Sequence, residues 1–190
     1  MSNGIIHVTD VGEASLDRAN RLLAGIPNGT WKAAHSALTR AAGKAKTEAG
    51  RFAAEEYAIT KGTFMANVRI KSKLKGDSGG VASVSVLYAG QVLPLLTFRT
   101  RYSRGGGITT TVKRGGGGVL GHAFIADIGG LSVYERVGKE RFPLEKKYGP
   151  STAHMMQDET VTENMSKLIE QTFNQRIEHE ITRLLNGWGG

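Results

Sequence analysis

Residues 119–150, VLGHAFIADIGGLSVYERVGKERFPLEKKYGP, alternate short apolar runs with glycine-rich breaks, the pattern of strands joined by tight turns. Val119–Ala126 is one expected strand, Gly129-Gly130 the break after it, and Leu131–Val137 the next strand. Then comes a basic turn, Arg136 to Leu144, closed by an aromatic and a proline. Gly138 would allow a tight or positive-φ turn. Pro143 would stiffen the exit and removes one hydrogen-bond donor. Phe142 is expected to pin the turn on the core, while Arg136, Lys139 and Arg141 crowd one strand end.

Upstream, the period is also two. Phe64, Ala66, Val68 and Ile70 alternate with Met65, Asn67, Arg69 and Lys71, which predicts a half-buried strand with a basic outer face. Residues 76–80 read as a turn, and Ala82, Val84 and Val86 as a second strand. Pro94 places Leu95–Phe98 at a sheet edge or a strand start. Ile108–Val112 is a further candidate. Short connections between about six strands predict a largely antiparallel sheet.

Helices flank this sheet on both sides in sequence. Thr9 or Asp10 could cap a helix over about 12–24, and residues 25–29 form a turn. Thr30 is then expected to cap a longer helix to about Ile59, striped by Trp31, Ala34, Leu38, Ala41, Ala45, Ala49 and Phe52. Alanines bury little area each, so Trp31, Leu38, Phe52 and Tyr57 should anchor it. The last helix should run from about residues 157–159 to Leu185, with Val161, Met165, Ile169, Phe173, Ile177, Ile181 and Leu185 at a strict spacing of four. That spacing overshoots a 3.6-residue turn by about 40° per step, so the stripe winds around the helix. It should therefore cross several elements, or else its far end packs on another subunit. The fold class is α+β: one domain over 1–190, with helices over 12–59, the sheet over 63–144, and a terminal helix over 157–186.

The chain has 190 residues, 39% of them hydrophobic, with 26 glycines and no cysteine. Disulfides, thiolate catalysis and cysteine-based metal sites are thereby excluded. The first residues lack a basic segment followed by an apolar one, so no signal peptide is expected. No apolar run reaches the roughly 18 residues that span a bilayer. The net charge of +8 is uneven. Residues 61–147 hold fifteen Lys/Arg against five Asp/Glu, whereas residues 148–190 hold three against six. A basic middle and an acidic end fit head-to-tail contacts between copies, or a polyanionic partner.

Chemical motifs are sparse. Residues 116–121 satisfy G-x-G-x-x-G, but the following His122-Ala123-Phe124-Ile125 is strand-like, where a dinucleotide site needs a helix. The five histidines form no H-x-x-x-H pair, and there is no G-x-S-x-G. No catalytic residue, cofactor or metal is expected. Residues 103–107 and 114–118 read as mobile glycine loops that order on assembly, with Arg104, Lys113 and Arg114 as basic shoulders. The competing reading is a nucleic-acid-binding module over residues 61–147, with these loops as arms. A lone Trp188 lies on the terminal tail.

The order AFIA, then VYERVGKERFPL, then YGPS and a long terminal helix resembles the phage minor tail protein Z family. The residues carrying the resemblance are Ala123, Phe124, Ile125, Arg136, Val137, Gly138, Lys139, Arg141, Phe142, Pro143 and Leu144. The first sixty residues contribute no motif to it. The resemblance implies a virion structural protein made in the host cytoplasm, a tail-completion protein at the head-proximal end of the tail. It implies a homo-oligomeric ring, a hexamer where the tail tube is six-fold, that helps join head and tail. Implied neighbours are the tail tube, terminator and neck or connector proteins, and DNA passing through the lumen, with no membrane. Arg136, Lys139, Arg141, Arg104, Lys113 and Arg114 are then the candidate subunit or DNA contacts; the other motif residues would shape the sheet.

Overall fold

In the computed structural model, residues 2–8, 12–76 and 82–187 are described. The expected caps Thr9 and Asp10, most of the 76–80 turn and Trp188 lie outside them. The chain begins with β1 (Ser2–Val8), α1 (Glu13–Leu22), α2 (Gly29–Glu56) and the short helix α3 (Lys61–Ala66). Strands β2 (Arg69–Gly76), β3 (Ala82–Gly90) and β4 (Val92–Pro94) follow, then a 3-10 turn at Leu95–Thr97. Next come β5 (Arg99–Tyr102), β6 (Ile108–Thr111), β7 (Gly118–Leu120), β8 (Ala123–Asp127), β9 (Leu131–Arg136), β10 (Leu144–Lys146) and β11 (Tyr148–Ser151). The short helix α4 (Thr152–Met155) and the long α5 (Glu159–Leu185) close the chain. Helices early and late with antiparallel strands between them make the protein α+β.

The strands are shorter and more divided than the sequence pattern predicts. Among the described residues they form four small sheets, ordered β1-β3-β2, β10-β9-β8, β11-β4 and β5-β6-β7. The expected strand at Val119–Ala126 is two strands, because residues 121 and 122 form a turn between β7 and β8. Leu95–Thr97 is a 3-10 turn, with Phe98 N–H donating to Leu95 O at 3.1 Å. The expected strand from residue 64 is helical up to Ala66. There Thr60 caps the turn, its hydroxyl oxygen accepting from Thr63 N–H at 3.1 Å. True alternation starts at Arg69, leaving Lys71, Lys73 and Lys75 exposed along one face of β2, an edge strand of its sheet.

The chain divides into two compact units, each assembled from separated segments. One comprises residues 1–4, 50–69 and 89–158; the other 5–49, 70–88 and 159–190. In the second unit, Ala33, Ala37, Ala41, Ala45 and Ala49 of α2 are fully buried, with Leu38 at 1% exposure. Thr30 does not cap this helix. It lies in the first turn, after Asn28 turns at φ 56, and Lys32 N–H reaches back to Asn28 O at 2.9 Å. Trp31 is only half-buried, its ring edge-on to His35 with 5.1 Å between centroids.

The α5 stripe is buried from Val161 to Ile181 at every fourth residue, within the chain's own structure. The last step differs: Leu184 is buried and Leu185 is 52% exposed. A step of three turns the stripe back by about 60°, more than the roughly 40° gained in one step of four. Near the middle of α5, Phe173 is 1% exposed and faces Gly12 at the start of α1. Gly12 sits at φ 68, and a Cβ there would lie 2.9 Å from the Phe173 ring. Ser15 donates to Asn174 Oδ1 at 3.0 Å, and Arg18 pairs with Glu178 at 3.3 Å, fastening α1 along the helix.

The first unit has its own core of Phe64, Leu93, Phe98, Ile108, Val133, Met155 and Met156. The end of α2 is tied into it by a polar cluster. Tyr57 O–H and Lys113 Nζ both donate to Asp158 Oδ2, at 3.3 and 2.6 Å. Burial, then the charge and hydrogen bond of Asp158 and the charge of Glu56, push the Tyr57 hydroxyl from 10 up to about 12. A folded-state pKa above the unfolded one means stability that is complete below pH 10 and lost as pH rises toward 12. The melting midpoint is expected to fall across that window, and Tyr57→Phe should flatten part of the fall. A midpoint unchanged by the substitution at every pH would contradict this.

Candidate functional site

The segment from 119 to 150 folds as the three-stranded sheet β8-β9-β10 and the connections around it. Phe124 pairs in register with Tyr134, and Ile125 with Val133. Leu144 pairs with Arg136 across the basic hairpin. The turn that demands glycine is the β8–β9 turn, where Gly129 and Gly130 take φ 71 and 112. Asp127 Oδ1 accepts from Gly130 N–H at 3.0 Å to close it. Of the two options open to Gly138, a tight or a positive-φ turn, the positive φ is not taken.

The basic hairpin itself is solvent-facing. Val137 is 66% exposed and Phe142 is 61% exposed, so Phe142 is not the buried pin that its aromatic character implies. The hairpin is closed by backbone, with Val137 N–H donating to Pro143 O at 3.2 Å, and no core lies under residue 142. Arg141 lies 5.8 Å from the Phe142 ring, and Arg136 lies 5.8 Å from that of Phe124. Arg136, Lys139 and Arg141 pair with no carboxylate among the described residues. A groove of about 590 Å³ runs beside them, lined by His122, Phe124, Arg136, Val137 and Lys139. Phe142→Ala is expected to change stability by less than about 0.5 kcal/mol, as for other surface residues. A thermal melt displaced by several degrees would show that the ring is buried.

The other candidate cations have different surroundings. Lys113 is held by Asp158, which raises its pKa through that hydrogen bond. Arg114 is tied to the end of α2, its Nε donating to Ala54 O at 2.8 Å and its backbone N–H to Glu56 O at 2.7 Å. These two side chains serve the fold, a role that composition alone conceals. Arg104 is exposed in the β5–β6 turn. That turn carries backbone bonds of its own, from Ser103 N–H to Gly107 O at 3.0 Å and from Gly106 N–H to Ser103 O at 3.2 Å. The 114–118 loop has Gly116 N–H donating to Lys113 O at 3.1 Å. No helix follows residues 116–121, which run into β7 and the β7–β8 turn.

Lys147 forms a further cluster that sequence reasoning missed. It bridges Glu135 at 2.7 Å and Glu145 at 2.8 Å, while its backbone joins Val133 and Leu95. Strand pairing was the only available signal, since β9 and β10 place both glutamates side by side. Among the described residues no group of three or more His, Asp or Glu could hold a metal. Among them too, no helix is long and apolar enough to cross a membrane.

Exposed aromatic and aliphatic side chains, Phe142 and Val137, thus lie beside cations that pair with no carboxylate among the described residues. The family model described as prophage minor tail protein Z (GPZ) matches residues 15–187, and the chain belongs to that family. It is therefore a structural protein of a phage tail. The match takes in most of the first sixty residues, which carry no local motif, along with the whole of 119–150. No curated protein and no solved structure matches the chain.

Proposed function

We propose that the protein is a tail-completion component that closes into a ring at the head-proximal end of the tail and takes part in joining head to tail. Its place is the neck of the virion, and its role is structural, not catalytic. Family membership supports the tail; the observation that carries the contact role is the hairpin 136–144, where Val137 and Phe142 are exposed between three unpaired cations. Exposed apolar side chains rimmed by charge are typical of subunit contacts. Opposite charge is available on the same chain, since Glu159 and Glu170 lie on one exposed face of α5, with Glu163, paired to Lys167 at 3.5 Å, between them. Contacts between unlike patches of identical copies are heterologous and produce a ring when the rotation closes. Mass photometry of purified protein, alone and with tail tubes, tests this. Closed oligomers of one size are expected in at least one of the two conditions. Monomer in both, at every concentration, would overturn the ring.

A further inference from the structure

The groove between α2 and α5 is lined by cations and hydroxyls. It measures about 730 Å³ and is lined by Arg40 and Lys44 from α2 and Arg176 from α5, with His35 beside them. The remaining lining is serine, threonine and a glycine; no carboxylate and no aliphatic or aromatic residue such as Leu, Val or Phe contributes. We propose that this groove is a binding site for the phosphate backbone of nucleic acid.

Four observations point that way. First, Arg40, Lys44 and Arg176 ion-pair with no carboxylate among the described residues, so their charge is available. The glutamates that follow Arg176 on α5 are engaged elsewhere: Glu178 with Arg18, and Glu180 with Arg183. Second, two guanidinium groups supply planar forks of donors that match phosphate oxygens. Third, the groove is open to a backbone. Gly43 lies between the cations, and a Cβ there would meet nothing within 4 Å. Ser36 and Thr172 bond to no partner among the described residues, whereas Thr39 and Thr47 donate to His35 O and Lys44 O. Fourth, the lining argues against a protein segment. A docked helix seats its anchors on apolar side chains, and no Leu, Val, Ile, Met or Phe is among the lining residues. Trp31, edge-on to His35 and half-exposed one turn away, adds an aromatic surface at the groove's end.

The site lies outside residues 61–147, where the charge excess is concentrated. Local charge counting passes over it because the cations come from two helices far apart in sequence, one of them acidic overall. It also stands apart from ring formation, since a single copy contains the whole groove.

The test is fluorescence anisotropy with labelled 30-bp duplex and 30-nt single strand, using the full chain over a range of salt. The groove variant is Arg40→Gln/Lys44→Gln/Arg176→Gln. The charge-matched control is Lys71→Gln/Lys73→Gln/Lys75→Gln on β2, which removes the same three charges elsewhere. The groove variant is expected to bind roughly tenfold or more weakly at low salt and to flatten the salt slope by about 2.7, that is, 0.9 per lost phosphate contact. The β2 control should change both far less. Gly43→Glu, at a position with room for a side chain, should weaken binding as well without lowering the melting midpoint. Equal losses in the groove and control variants would reduce the effect to bulk charge and overturn the site. So would a wild-type protein that does not bind either probe. A groove variant that binds nucleic acid normally but no longer self-associates would assign the groove to a second copy, and would also overturn the proposal.

Discussion

Phe173→Ala is expected to lower the melting midpoint by about 6–20 °C. The ring is buried at the middle of α5 and meets the α1 start at Gly12. Deleting a buried phenylalanine removes its transfer free energy and leaves a cavity, together about 3–5 kcal/mol. The whole fold is held by roughly 5–15 kcal/mol, and each kcal/mol moves the midpoint of a chain this size by about 2–4 °C. Relaxation is restricted here because α1 is fastened to α5 beyond the ring, by Ser15 to Asn174 and by Arg18 to Glu178. Phe142→Ala is the matched comparison, an aromatic with no core beneath it. Scanning calorimetry that gave the two variants equal midpoints would contradict the burial assigned to both residues.

Arg136→Gln/Lys139→Gln/Arg141→Gln is expected to have the opposite profile, a normal melt and defective assembly. None of the three cations holds a carboxylate within the described chain, so the fold loses little. The cation–π contacts to Phe124 and Phe142, at 5.8 Å each, are worth about 0.5–1 kcal/mol at exposed sites. If the same three charges each contribute about 0.5–1 kcal/mol to a neighbouring subunit, the contact weakens roughly 10- to 100-fold. Complementation of a phage lacking the protein, with joined particles counted, measures this. Normal joining by a normally folded variant would reduce the hairpin to ordinary surface and remove it from the subunit contact.

Long helices were legible from periodicity because a stripe of seven side chains averages out local accidents. The α5 stripe lies where spacing placed it, save that Leu184 takes the place of Leu185. Short elements carry no such redundancy. Residues 64–66 fit the start of an alternating strand, yet they end the short helix α3, whose first turn is capped by the Thr60 hydroxyl. Phe142 failed for a different reason. An aromatic before a proline indicates a turn but says nothing of what lies beneath it, and burial depends on packing that no local window contains. Lys113 and Arg114 illustrate the same limit. Their partners, Asp158 and the carbonyls of Ala54 and Glu56, are distant in sequence, so a basic pair that looks free is part of the structure. Family resemblance was readable because it rests on the order of many residues, which survives errors about where any one of them points.

The most direct measurement is electron microscopy of isolated tails carrying a labelled copy of the protein, before and after heads are added. A closed ring is expected at one end of the tail, the end that engages the head, and is expected to be absent from tails that fail to join. Label spread along the tail, or confined to the end away from the head, would contradict it.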